Sequence, residues 1–209
     1  MNLPPEITTI VLDFNGVIAS DINAAARSLG DFWGLPLDPA EAYVRWRPIY
    51  LKASLGQIPV EHFWKELRAS FGFSPAYSRE EEDRWLSSIV PLEPDVAQTL
   101  GRLGQRFTLG LLTNYVGSWT RGLLAKWGLT EKFRAVLVSS EMGARKPELA
   151  PYREICRMLE VRPGAAVYVA DEEEDVVAAE RVGMFPVFLP GEDKGSRVGM
   201  RIERLADLE

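Results

Sequence analysis

With 209 residues, 46% of them hydrophobic and 26% charged, the chain is long enough for one α/β core plus a small insertion. A net charge of -6 and the lack of any Lys/Arg cluster argue against nucleic acid or an anionic membrane as partner. No apolar run approaches the roughly 20 residues of a membrane span, and Met1-Asn2-Leu3-Pro4-Pro5 has neither the basic flank nor the apolar core of a leader, so a cytoplasmic protein is expected.

The first element runs from Ile7 to Ile18. A β-branched, apolar stretch that ends in a carboxylate and then a glycine reads as a buried parallel strand. It delivers Asp13 to the carboxyl edge of a sheet, where open α/β folds place their ligands, and makes Asp13 the candidate nucleophile. A turn-forming aspartate is the competing reading of this residue alone.

After Gly16 the pattern turns helical and stays so to about residue 90. Helices are predicted over Ser20 to Trp33, Pro39 to Leu55, Val60 to Phe71 and Arg79 to Ser88, separated by Gly34-Leu35-Pro36, Gly56-Gln57-Ile58-Pro59 and Gly72-Phe73-Ser74-Pro75. The aromatics of this bundle, among them Phe32, Trp33, Tyr43, Trp46, Phe63, Trp64, Phe71 and Trp85, are expected in its core, because no basic groove accompanies them. Arg45, Arg47, Tyr50 and Lys52 either face a cleft and read a substrate or form a solvated helix face. His62, the single histidine, has no neighbouring ligand spacing and reads as a surface residue, which leaves no Ser-His, Cys-His or His-rich zinc site.

From Pro91 onward helix and strand alternate. Strands are placed at Phe107 to Leu112, Ala135 to Val138, Val167 to Ala170 and Pro186 to Leu189, with helices near Asp95 to Leu103, Ser118 to Trp127, Glu148 to Leu159 and Glu173 to Val182. Strands that are continuously apolar and separated by helices belong to a parallel sheet covered on both faces. The lone Cys156 excludes an internal disulfide and is expected to be a buried helix thiol. Gly191 to Ser196 reads as a polar loop before a short last helix.

Four strands end in polar residues: Asp13 with Asn15, Thr113 with Asn114, Lys146-Pro147 after the third, and Asp171 with Asp175. One nucleophilic carboxylate, one hydroxyl, one ammonium and two further carboxylates are what phosphoryl transfer through an aspartyl-phosphate requires. In that chemistry Asp13 attacks phosphorus, Asp171 and Asp175 offer hard oxygen ligands to Mg²⁺, and Thr113 and Lys146 support the phosphoryl oxygens. The acidic run Glu172 to Glu174 reads instead as a charged first helical turn, and Arg145 as solvated.

Asp13-Phe14-Asn15-Gly16-Val17-Ile18, Leu111-Leu112-Thr113-Asn114, Arg145-Lys146-Pro147-Glu148 and Ala170-Asp171-Glu172-Glu173-Glu174-Asp175-Val176 resemble, in order, the four motifs of the haloacid dehalogenase-like hydrolase superfamily. The resemblance covers essentially the whole chain and is closest to the Mg²⁺-dependent phosphatase branch. It implies a Rossmann-like, doubly wound parallel sheet built from residues 1–16 and 89–209. It further implies that residues 17–88 form a helical cap, expected to be mobile on hinges near Val17 to Ser20 and Ser88 to Pro91.

It also implies Mg²⁺ held by Asp13, Asp171 and the Asn15 main-chain carbonyl, with Asp175 in or just behind the ligand set. Thr113, Asn114 and Lys146 are implied as phosphate contacts. A small phosphorylated metabolite is expected as substrate, and a monomer or homodimer as the state of the protein. The family's general acid, two residues after the nucleophile, is an aspartate, but here that position holds Asn15. An amide cannot exchange a proton at neutral pH, which removes a contribution of about 10²- to 10⁴-fold. A metal-independent 2-haloacid dehalogenase and a non-catalytic or substrate-trapping binder of a phosphate ligand are therefore the alternatives.

Overall fold

The computed structural model describes residues 3–190 and 199–209. Strand β1 (Thr9–Leu12) is followed by helices α1 (Ile22–Arg27), α2 (Leu29–Trp33), α3 (Pro39–Ser54), α4 (Val60–Ser70) and α5 (Arg79–Leu86). Helix α6 (Val96–Leu103) then leads into β2 (Thr108–Thr113), α7 (Gly117–Lys126), β3 (Ala135–Val138), α8 (Ser139–Met142) and α9 (Leu149–Met158). The chain closes with β4 (Ala166–Ala170), α10 (Glu173–Val182), β5 (Phe185–Phe188), β6 (Met200–Arg201) and a 3-10 turn at Leu205–Leu208.

Among the described residues the six strands form one sheet in the order β3-β2-β1-β4-β5-β6, with every pairing parallel. This is a doubly wound α/β fold. The order reverses between β1 and β4, and in such sheets the crevice beyond the carboxyl ends at the reversal is where a ligand fits. Asp13 and Asp171 leave the sheet on either side of it.

Side chains of the central strands alternate between two apolar layers, as the two-residue period of a strand demands. Val11, Leu112, Tyr168 and Ala170 pack with Tyr152, Ile155 and Cys156 of α9. Ile10, Leu12, Leu111, Val167 and Val169 face the other way, into a core that runs without a break into the helical insert. Cys156 is buried, as expected, and burial pushes its thiol up to about 11.

The insert leaves and rejoins the sheet through two connectors that pair with each other. The Ser20 N–H donates to the Val90 carbonyl at 2.8 Å, and the Leu92 N–H to that of Ile18 at 2.9 Å. Its aromatics do form a core, but that core also grips the sheet domain. Trp119 of α7 lies edge-on to Phe63 and Trp85, with centroids at 5.1 and 5.5 Å. Its indole donates at 2.6 Å to the buried Glu82 of α5.

Two expectations need correction, and one element was not expected. The helix predicted over Ser20 to Trp33 is two, because the Ser28 hydroxyl turns back onto the Ala25 carbonyl at 2.9 Å and competes with the helical ladder. The short last helix is only the 3-10 turn, and it is preceded by the two-residue strand β6, too brief to carry a period. Helix α8, a single turn ending at Gly143 with φ 73°, was not foreseen. The predicted loop Gly191 to Ser196 lies outside the described residues.

Candidate active site

The end of β1 is held by main-chain hydrogen bonding on its β4 side: the Asp13 N–H donates to the Val169 carbonyl at 2.9 Å. Its carboxylate is buried, with Oδ1 accepting the Phe14 N–H at 2.6 Å and Oδ2 paired with Lys146 Nζ at 2.6 Å. The same ammonium, 2% exposed, reaches Asp175 Oδ2 at 2.7 Å and donates to the Tyr168 hydroxyl at 2.8 Å. Three acceptors thus match the three N–H bonds of one lysine. Asp175 Oδ1 in turn accepts from the Tyr152 hydroxyl at 3.2 Å.

Burial pushes the Asp13 carboxyl up to about 7, because Lys146 offsets only part of the desolvation cost and Asp175 and Asp171 add to it. Burial also works against the Lys146 charge, but Asp13 and Asp175 more than restore it, and its pKa lies above the ordinary lysine value. The floor of the site is therefore short of positive charge.

Asp171 is brought against the same strand end by a glycine. Gly16 has φ 71°, and a Cβ placed on it would lie 2.2 Å from the Asp171 carboxyl carbon. Only glycine lets that carboxylate stand there. Asn15 Oδ1 and Thr113 Oγ1 are both buried without a hydrogen-bond partner among the described residues. Thr113 is not part of the cleft wall. Asn114 is, but its side chain is engaged elsewhere: Oδ1 accepts the Lys146 N–H and Nδ2 donates to the Lys146 carbonyl, both at 2.9 Å. The residue expected to contact phosphate thus clamps the peptide that carries Lys146.

Above this floor lies a cleft of about 290 Å³. Six carboxylates line it (Asp13, Asp21, Asp171, Glu172, Glu174 and Asp175) against three cationic side chains, Arg47, Arg145 and Lys146. Tyr43, Arg47 and Tyr50 of α3 reach it from the insert, and the Tyr50 hydroxyl donates to the Asn114 carbonyl at 2.9 Å. Of the four α3 candidates, Arg47 and Tyr50 face the cleft. Arg45 bonds Glu41 and the Ser70 carbonyl, and Lys52 pairs with Glu66 at 2.9 Å. Arg145, expected in solvent, lines the cleft. His62 is exposed on α4, with 61% of its side chain open.

Sequence reasoning missed Asp21, Tyr152 and Tyr168. A tyrosine inside the otherwise apolar run Ala166–Ala170 was the available signal, because a buried phenol requires a partner.

The residues fit a hard cation. Acidic side chains outnumber basic ones around the cleft, and Asn15 holds an orphaned acceptor. Among the described residues no three His, Cys, Asp or Glu side chains gather closely enough to hold a metal unaided. A cation here would draw on two carboxylates, a main-chain carbonyl and water, a mixed oxygen set that suits Mg²⁺.

Comparison with known proteins agrees with this fold. The family model for "Haloacid dehalogenase-like hydrolase" matches residues 40–188. The phosphoglycolate phosphatase of Cereibacter sphaeroides is 30% identical over 193 residues, covering 87% of this chain and 85% of that protein. Among solved structures, a HAD family enzyme of Bacteroides thetaiotaomicron, in complex with magnesium and inorganic phosphate, superposes with a TM-score of 0.74 at 19% identity, over 91% and 98% of the two chains. L-2-haloacid dehalogenase of Xanthobacter autotrophicus superposes at 0.70 with 20% identity, over 97% and 96%. At these identities the two structures speak for the fold alone.

Proposed function

Because the chain belongs to the haloacid dehalogenase-like hydrolase family, we propose that it is a Mg²⁺-dependent phosphatase of a small phosphorylated metabolite, working through an aspartyl-phosphate on Asp13. One observation carries this reading: a buried carboxylate at a strand end, paired at 2.6 Å with a lysine that a second carboxylate also holds, on the floor of a small acid-rich cleft. A phosphatase relative 30% identical over most of both chains supports it.

Asp13 attacks phosphorus and expels the alcohol, and water then opens the acyl phosphate. Lys146 offsets part of the burial that works against the Asp13 charge and aims its carboxylate, while Asn114 holds Lys146 in place. Asp13, Asp171 and the Asn15 carbonyl would hold Mg²⁺, which when bound offsets repulsion between carboxylate and phosphate. Asp175, occupied by Lys146 and Tyr152, stands behind that set. Residues 17–88 act as the cap, with Arg47 and Tyr50 contacting the part of the substrate beyond its phosphate.

A panel of phosphate esters that includes 2-phosphoglycolate and glyceraldehyde 3-phosphate, assayed with and without Mg²⁺, tests the reading. Hydrolysis that requires Mg²⁺ and disappears in Asp13→Asn is expected. Asn15 favours one other reading, since carbon–halogen cleavage needs no proton donor. Metal-free halide release from 2-chloropropionate, with no phosphate release from any ester, would establish that instead.

A further inference from the structure

We propose that Asp21 performs the proton transfer that Asn15 cannot, as the acid and base of the phosphatase reaction on which this inference rests. An alkoxide leaving phosphorus must gain a proton, and the amide of Asn15 has none to give at neutral pH.

The other acids of the cleft are committed or badly placed. Asp13 is the nucleophile, Asp175 is locked between Lys146 and Tyr152, and Asp171 lies against Gly16 with the metal set. Glu172 and Glu174 sit on the exposed entry to α10. The Tyr50 hydroxyl is spent on the Asn114 carbonyl.

Asp21 differs from all of these. Chain geometry returns it to the reacting centre: Asn15 and Ala19 stand side by side in a bridge closed by the Gly16 N–H on the Ala19 carbonyl at 2.8 Å. Asp21 follows two residues later and lines the cleft that Asp13 and Asn15 also line. As the N-cap of α1 its carboxylate is fixed through Oδ1, which accepts the Asn23 N–H at 2.8 Å and Nδ2 at 2.7 Å. Oδ2 makes no hydrogen bond or ion pair among the described residues. One oxygen therefore sets the orientation and the other is available to a ligand.

The proton cycle closes. As Asp13 attacks phosphorus and the ester P–O bond breaks, the Asp21 carboxyl gives its proton to the departing oxygen, releasing neutral alcohol. The resulting carboxylate then takes a proton from the water that attacks the phosphorus of the aspartyl-phosphate. Phosphate leaves, and Asp13 and Asp21 return to their starting forms.

Asp21→Asn tests this, because asparagine caps a helix as well as aspartate but can neither give nor take the proton, and its loss of charge acts on every phosphate ester alike. With 2-phosphoglycolate, whose leaving group is an alkoxide, kcat/KM should fall by about 10²-fold or more. With p-nitrophenyl phosphate, whose leaving group is stable as an anion, kcat/KM should change little, since that ratio ends at the expulsion of the leaving group and leaves out the later attack of water. Asn15→Asp, which restores a donor at the usual place, should largely rescue Asp21→Asn on 2-phosphoglycolate. Equal loss of kcat/KM on both substrates, or no loss on either, overturns the assignment, and Asp21→Ser, which also caps, guards against an effect of asparagine itself. Wild-type protein inactive on both substrates with Mg²⁺ would instead defeat the phosphatase reading, and this assignment with it.

Discussion

The floor of the cleft and its roof are built on opposite plans. On the floor, Asp13, Lys146, Asp175, Tyr152 and Tyr168 are buried and bonded to one another, with every N–H of the lysine taken. On the roof, Asp21, Tyr43 and Arg47 are half-buried, and Arg47 has no counter-ion among the described residues. A saturated, water-poor network is rigid, which suits a nucleophile that must be aimed before substrate arrives. A half-open surface with unspent charge suits recognition, since its groups find their partners only when a ligand brings them. Changes to the floor should therefore cost stability and chemistry together, and changes to the roof chemistry or binding alone.

The sharpest break is Lys146→Met. It leaves Asp13 and Asp175 buried with no cation between them, and removing one partner of a buried ionic group costs about 3–5 kcal/mol. Denaturant unfolding should show that loss, with phosphatase activity abolished. Trp119→Phe comes next, at about 1–3 kcal/mol, because it strips the indole donor from buried Glu82 while keeping an aromatic ring. As Trp119 joins insert to core and does not line the cleft, the variant should lose stability with activity retained below its melting transition.

Gly16→Ala should cost about 1–2 kcal/mol for the left-handed backbone alone. Its new methyl must also displace Asp171, so calorimetry should show weakened Mg²⁺ binding beyond what that small destabilisation explains. Arg47→Met is the smallest in stability, within about 0.5 kcal/mol. If Arg47 meets a charged group of the substrate, KM should rise about 10-fold or more with kcat little changed, as loss of a charge-assisted bond implies.

The same division governs what could be read from the sequence. Strands of a parallel sheet buried on both faces are unbroken apolar runs, so β1 to β5, and the polar residues that end them, stand out. Asp13 and Asp171, which directly follow β1 and β4, were read as cleft residues for that reason, with Lys146 and Asp175 in the segments just beyond strand ends, and all four line the cleft. Tyr152 and Tyr168 were not, because in a hydrophobic run a phenol looks like more core until its hydroxyl is seen on Asp175 or Lys146. Asn114 was read as a phosphate contact, and its pairing with Lys146 could not be read, since that is a contact across 32 positions of chain. Asp21 looked like part of a helix beginning at Ser20. Its availability to the cleft depends on the turn that lays Ala19 beside Asn15. The break at Ser28 and the strand β6 escaped because each is decided by one or two residues.

The most direct measurement is acid quench of the wild-type protein during turnover of 2-phosphoglycolate with Mg²⁺, followed by mass spectrometry of its peptides. Phosphate should appear on the peptide containing Asp13 and vanish in Asp13→Asn. Sustained turnover with phosphate on another residue, or with none trapped at any quench time, would contradict Asp13 as the nucleophile.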